Sequence, residues 1–189
     1  MYMVFLNKLK IKWDDFLRVA IIGSRDANED CYNKIIENLP AECSEIISGG
    51  ARGIDTYAHI GAIKAGGKTI AVLGCGLDEV YPSTNFNLYK EILISGGTII
   101  SEYPLGSKPD KYHFPIRNRI ISGLSDGVLV IEAKEKSGTL ITVDYALEQG
   151  KNVYALPGNI DSLNSASTNN LIKEGAIPVT NIDDILINF

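Results

Sequence analysis

Ser48-Gly49-Gly50-Ala51-Arg52-Gly53-Ile54-Asp55 puts small residues, a permanent cation and a carboxylate into one short stretch. It follows a β-like run, Glu45-Ile46-Ile47, and opens a helical pattern carried by Ile54, Ala58, Ile60, Ala62 and Ile63. A small-residue turn between strand and helix lets an anion reach main-chain N–H groups where the helix dipole is positive. Gly50 and Gly53 supply backbone freedom for that turn. Arg52 adds a planar fork suited to phosphate oxygens. Asp55 is expected to cap or orient the turn. The chemistry this segment points to is anion binding.

Other segments repeat the theme. Gly23-Ser24-Arg25, Gly74-Cys75-Gly76, Glu102-Tyr103, Pro157-Gly158-Asn159 and the run Glu132-Ala133-Lys134-Glu135-Lys136-Ser137-Gly138-Thr139 each follow an apolar stretch. A single glycine turn has a purely backbone explanation, and the sharp turn at Gly74-Cys75-Gly76 is read that way as readily as any other. Several such turns carrying Arg, Lys, Ser or Thr make an anion-binding edge. In Tyr112-His113-Phe114-Pro115-Ile116-Arg117-Asn118-Arg119, Phe114 and Pro115 are expected to end an extended loop. That leaves Arg117 and Arg119 in the first turn of a helix, against its dipole, where a nearby phosphate would account for them. The competing account pairs one of these arginines with Glu102, Asp126 or Glu132.

The elements needed to position these groups are legible as apolar patterns. Residues 18–22 (RVAII), 45–47, 69–73, 98–101, 127–131, 152–155 and 176–179 read as strands. Residues 29–39, 54–65, 85–94 (with Ser83 as a cap), 116–124, 139–149, 168–173 and 183–187 read as helical. Alternating strands and helices predict an α/β, extended Rossmann-like, doubly wound and mainly parallel sheet with helices on both faces. In such sheets ligands bind at the carboxyl ends of the strands, which is where the turns above fall. Neither a Gly-x-Gly-x-x-Gly fingerprint nor a Walker lysine motif follows the first predicted strand. Residues 1–17 are expected to form an N-terminal extension and residues 18–189 one domain.

Bulk properties narrow the class. A chain of 189 residues, 45% hydrophobic and 22% charged, is ordinary for a globular domain. No apolar run approaches the about 18–20 residues that cross a bilayer, and the first residues lack a signal-peptide core, so a cytoplasmic location without membrane contact is expected. The net charge of −5 argues against a surface that is positive throughout, but it allows a local basic groove. Cys31, Cys43 and Cys75 contain no paired spacing and are expected to be buried or incidental thiols. His59, expected within a helix, and His113, expected in a loop, have no metal-ligand spacing. No metal or cofactor is implied.

The same segments resemble a known family. Residues 48–55, Ala71-Val72-Leu73-Gly74-Cys75-Gly76-Leu77-Asp78 with Tyr81-Pro82, residues 114–125, and Glu132-Ala133 with residues 137–142 are similar to DNA-processing protein A (DprA, also called Smf). Residues 146–150, 153–158 and 170–176 extend the similarity, which covers residues 18–187. It implies a cytosolic Rossmann-like domain that binds single-stranded DNA, acts as a homodimer, protects strands during natural transformation and loads RecA recombinase onto them. It implies DNA contacts at Arg52 and at Lys134 or Lys136, with Arg25, Arg117 and Arg119 in matching motifs along one groove. A track of cations and helix N-termini follows a flexible phosphate backbone without reading bases. Tyr103, Tyr112 and Phe114 are candidates for base stacking, with burial in the core as the competing account. Ile116 stands where the family usually has another arginine. The resemblance takes in the Rossmann-like domain alone, without the helical module that often precedes it or the winged helix that often follows.

Two other functions compete. Related nucleoside-monophosphate hydrolases carry Pro-Gly-Gly-x-Gly-Thr-x-x-Glu. Aligning Gly138-Thr139 with that motif puts lysines where its glycines stand and Thr142 where its catalytic Glu belongs. Chemistry on a glycosidic bond needs that carboxylate, so an enzyme is not expected. A small-nucleotide sensor would use Arg52 and the same helix N-termini.

Overall fold

Arg18–Ile22 forms β2, buried along its whole length, as expected for a central parallel strand covered on both faces. Its alternate residues serve two layers. Val19 and Ile21 pack with Ile46, Ile54 and Ala58, while Ala20 and Ile22 pack with Ile47, Ile120, Ile121 and Val143. The computed structural model describes residues 4–6, 17–27 and 45–188. The helix expected over residues 29–39, together with Cys31 and Cys43, lies outside them.

The remaining strands are β1 (Val4–Leu6), β3 (Glu45–Ser48), β4 (Lys68–Leu73), β5 (Thr98–Ser101), β6 (Gly127–Val130), β7 (Asn152–Ala155) and β8 (Ile177–Pro178). Their order in the sheet is β1-β5-β4-β3-β2-β6-β7-β8. The pairs from β5 through to β8 are parallel; β1 runs antiparallel along β5. The fold class is therefore the α/β, doubly wound sheet expected, with a short antiparallel edge strand at Val4–Leu6 that the hydrophobic pattern did not mark.

The helices are α1 (Ile54–Lys64), α2 (Phe86–Ile94), α3 (His113–Leu124), α4 (Gly138–Glu148), α5 (Ala166–Lys173) and α6 (Asp183–Leu186). Through Ile54 and Ala58, α1 covers the same layer as Val19 and Ile21; through Ile120, Ile121 and Val143, α3 and α4 cover the other. Leu88, Tyr89 and Ile92 of α2 pack on Ala71, Leu73 and Ile99.

Helices α2, α3, α4 and α5 start one to three residues from expectation, and the first two of these bear on the site. Ser83 does not cap α2; it opens a 3-10 turn, Ser83–Asn85, without a side-chain cap bond. Helix α3 begins at His113, not at residue 116, with Pro115 inside its first turn. A proline is tolerated there because first-turn N–H groups have no partner within the helix.

Candidate functional site

The chain runs from β2 to β3 on one side of the sheet and later returns to place β6 on the other. The strand order therefore reverses at β2, and ligands of doubly wound sheets occupy the crevice at such a point. An open cleft of about 680 Å³ lies there. Its floor includes Ile22, Ile121 and Ile141, and Phe114 and Tyr81 add aromatic surface. Five cations line it (Arg25, Lys111, Arg117, Lys134 and Lys136) against three carboxylates (Asp26, Asp55 and Glu135). The cleft is thus locally positive on a chain of net charge −5.

The loop after β3 is held from below. Asn85 Nδ2 donates to the Gly50 carbonyl at 3.0 Å, and the Tyr89 hydroxyl lies 3.1 Å from the same oxygen. Thr56 Oγ1 donates to the Ala51 carbonyl, and Ala51 N–H donates to Asp55 Oδ2. Asp55 therefore orients the turn, as expected. These contacts draw carbonyls inward, and among the described residues the N–H groups of Arg52 and Gly53 have no acceptor. Burial pushes the Asp55 carboxyl above its ordinary range, and the Arg117 charge works against that rise.

Gly53 holds φ +74°, and a Cβ there would lie 2.3 Å from the Ser24 carbonyl oxygen. That close approach ties the β3 loop to the β2 loop, where Ile54 N–H donates to the same Ser24 oxygen. Gly53→Ala is expected to lower stability by about 2 kcal/mol, combining left-handed strain with a backbone clash. Urea denaturation checks this, and a midpoint equal to that of the parent chain would overturn it.

Arg52 itself is exposed, next to cleft-lining Ala51, and its side chain has no hydrogen bond or ion pair among the described residues. Arg25 and Lys136 are exposed in the cleft walls, and Lys136 adopts a left-handed φ of 58°. Lys134 is also exposed, but its ammonium pairs with Asp26 at 2.9 Å. Ser137 caps α4 by accepting from Thr139 N–H at 3.2 Å. The Thr139 hydroxyl donates to the Gly23 carbonyl, and Asn118 Nδ2 lies 3.4 Å from the Gly138 carbonyl.

The two arginines of α3 part company. With α3 starting at His113, neither lies in the first turn, so the dipole argument for a phosphate beside them does not hold. Arg117 is 4% exposed, and its guanidinium donates to the carbonyls of Gly49 (2.7 Å) and Val72. It reaches the cleft floor as a brace beneath the β3 loop. Arg119 pairs with Glu102, the competing account above, and Glu132 accepts from Asn164 Nδ2 at 3.3 Å. Ile116 is exposed on the same helix.

Tyr112 is 66% exposed beside the Lys111 ammonium, 5.0 Å from its ring centre. Phe114 is half-buried, with Tyr81 at 5.4 Å between ring centres. The Tyr103 ring stacks on His113, which starts α3 instead of lying in a loop. Gly74 and Gly76 serve packing: a Cβ at Gly74 would meet the Phe114 ring at 2.8 Å, and one at Gly76 the Pro104 carbonyl at 2.6 Å. Cys75 is buried between them, as expected. Lys111 was not singled out from sequence, and Tyr81 and Asn118 were named there only within motifs, without a role. Lys111 adjoins Tyr112 and Asn118 lies between the two arginines, so proximity was the available signal. Among the described residues no cluster of His, Cys, Asp or Glu suits a metal ion, and no helix is long and apolar enough to cross a membrane.

This fold and cleft define a Rossmann-like domain with a cation-lined crevice at the strand carboxyl ends. The sheet architecture is shared, at 19% identity and a TM-score of 0.55, with the molybdenum cofactor carrier protein of Chlamydomonas reinhardtii. Residues 5–189 match the DNA recombination-mediator protein A family, and the chain belongs to that family, whose members carry the names DprA and Smf. It is 46% identical to DNA processing protein DprA of Streptococcus pneumoniae, covering 92% of this chain and 62% of that protein. It is 47% identical to protein Smf of Escherichia coli, covering 90% and 46% respectively. The chain thus spans about half the length of these curated relatives. The X-ray structure of the pneumococcal protein superposes with a TM-score of 0.85 over the same shares of the two chains. DNA processing protein A from Helicobacter pylori, a structure described for its single-stranded DNA binding mode, superposes at 0.82 with 29% identity, covering 98% of this chain and 94% of that one.

Proposed function

We propose that this domain binds single-stranded DNA without reading its sequence, the phosphates following the strand-end cleft past Arg25, Lys136 and the helix cap at Ser137-Gly138-Thr139, with Arg52 on the β3 loop. The observation that carries this reading is exposed positive charge gathered at one sheet edge of an otherwise acidic chain. Phosphate neutralisation with release of counterions supplies sequence-independent affinity. Exposed Tyr112 and Tyr81 and half-buried Phe114 offer faces on which bases stack. On the same reading, the domain works in the cytoplasm as a homodimer that protects strands and passes them to RecA recombinase, and it catalyses no reaction. Thr142 supports the last point. It lines the cleft where a hydrolase of related fold needs a carboxylate, while Asp26 is paired, Asp55 is buried under the loop, and Glu135 is exposed on the turn before α4 and not at that position.

The test is fluorescence anisotropy of labelled oligo-dT across a salt titration, with duplex DNA and AMP as competitors. Salt-sensitive binding that resists both competitors is the expected result. Displacement of a weakly held strand by AMP would instead favour a nucleotide pocket, for which the cleft volume is also suitable. Arg52→Ala is expected to weaken binding to any single strand by about 3–10-fold and to reduce the salt slope by about 0.7, the share of one phosphate contact on a single strand. Because Arg52 is exposed and makes no side-chain hydrogen bond or ion pair among the described residues, melting should not change. Equal affinity in the variant would remove Arg52 from the interface.

A further inference from the structure

Lys134, after β6, and Asp26, after β2, join across the point where the strand order reverses. Their side chains are 48% and 77% exposed, so the contact sits at the cleft mouth and not in its floor. The Asp26 backbone is placed independently of its carboxylate, because its N–H donates to Ser24 Oγ at 3.2 Å. The two loops also have a second tie, from Thr139 Oγ1 to the Gly23 carbonyl. The carboxylate is therefore not needed to hold the walls together. It sits where an entering phosphate would seek Lys134.

We propose that Asp26 sets the affinity of this cleft by occupying Lys134 in the free protein; the inference rests on the single-strand reading above. A strand that enters must displace the carboxylate or lie beside it. An exposed pair of this kind is weak enough for a phosphate to break. When a phosphate takes the place of Asp26 at Lys134, the freed carboxylate stays beside the strand and offsets the charge that Lys134 neutralises, so Lys134 adds little to the salt dependence of the parent chain. Asp26→Asn removes the charge, keeps the shape, and turns Lys134 into a counterion-releasing contact.

The experiment uses the full chain and labelled oligo-dT. Asp26→Asn is expected to bind about 3–10-fold more tightly near 0.1 M salt, with a salt slope steeper by about 0.7. Asp26→Ala is expected to show the same gain, since it also lacks the charge. Lys134→Ala should change affinity less than about two-fold in the parent chain yet abolish the gain in the Asp26→Asn background, the non-additivity of two groups that share one interaction. Unchanged affinity and slope in both Asp26 variants, or additive effects of Asp26 and Lys134, would overturn the proposal while leaving the single-strand reading intact. Failure of the parent chain to bind oligo-dT at low salt would overturn the single-strand reading itself, and this inference with it.

Discussion

Arg117→Ala is expected to lower the stability of the domain by about 3–5 kcal/mol, the cost of losing two buried hydrogen bonds from a charged donor at about 1.5–3 kcal/mol each. Arg117 is 4% exposed and donates to the carbonyls of Gly49 and Val72, so its loss leaves two inward-facing oxygens short of a donor. It also removes the positive charge that opposes the upward push of burial on the Asp55 carboxyl. Asp55 holds Ala51 N–H, so the β3 loop should loosen as the fold weakens. Arg117→Lys should recover only part of the loss, because a flexible ammonium lacks the rigid planar group that aims Nη1 at both carbonyls while Nε donates to Asn118 Oδ1. Arg52→Ala provides the contrast: an exposed arginine without a partner among the described residues is expected to change stability by less than about 0.5 kcal/mol. Urea denaturation of the three variants separates brace from contact. A midpoint for Arg117→Ala within error of the parent would refute the bracing role.

That contrast shows where sequence reading succeeds and where it stops. Arg18–Ile22, Thr98–Ser101 and Asn152–Ala155 fold over the bounds their apolar pattern predicts, because strands buried on both faces need continuous apolar runs. The β3 loop was legible for a similar reason: small residues between a strand and a helix have few other uses. Arg117 and Arg119 were harder, since two residues apart on a helix is about 200° around its axis, and only the true helix start and its packing decide which one is buried. Pro115 misplaced that start, being read as the end of an extended loop when it is compatible with a first turn. Gly74 and Gly76 resemble part of a phosphate turn, but their missing side chains make room for Phe114 and a backbone carbonyl far away in the chain. Val4–Leu6 is three residues long and pairs with a strand remote in sequence, so no local pattern announces it. The Asp26–Lys134 pair is likewise a product of topology, from loops that meet only because β2 and β6 are neighbours.

Acidification is expected to destabilise the domain through His59. The ring is fully buried on α1, and its Nδ1 lies 2.7 Å from Thr69 Oγ1. The Thr69 hydroxyl donates its one hydrogen to the Ile46 carbonyl, so it accepts from His59 Nδ1–H. That tautomer leaves Nε2 as a bare lone pair, without a partner among the described residues. Protonating it would bury a charge and a donor with no acceptor. Burial first, and the Arg117 charge second, lower the His59 pKa from 6.5 to about 3. Between those values the unfolded chain takes up a proton that the native chain refuses. The contribution is therefore complete above pH 6.5 and falls away as pH drops towards 3, by about 1.4 kcal/mol per unit. At pH 5 this amounts to about 2 kcal/mol. Asp55 acts in the opposite sense, since a raised carboxyl pKa favours the native state on acidification, so the net pH profile alone is not diagnostic. His59→Leu isolates the term, because the Thr69 hydroxyl keeps its bond to Ile46 and the site still carries an apolar side chain. The fall in urea-unfolding free energy from pH 7 to pH 5 should be about 2 kcal/mol larger in the parent than in His59→Leu. Equal falls in the two proteins would mean that His59 titrates normally in the fold, with its Nε2 accessible to a proton after all.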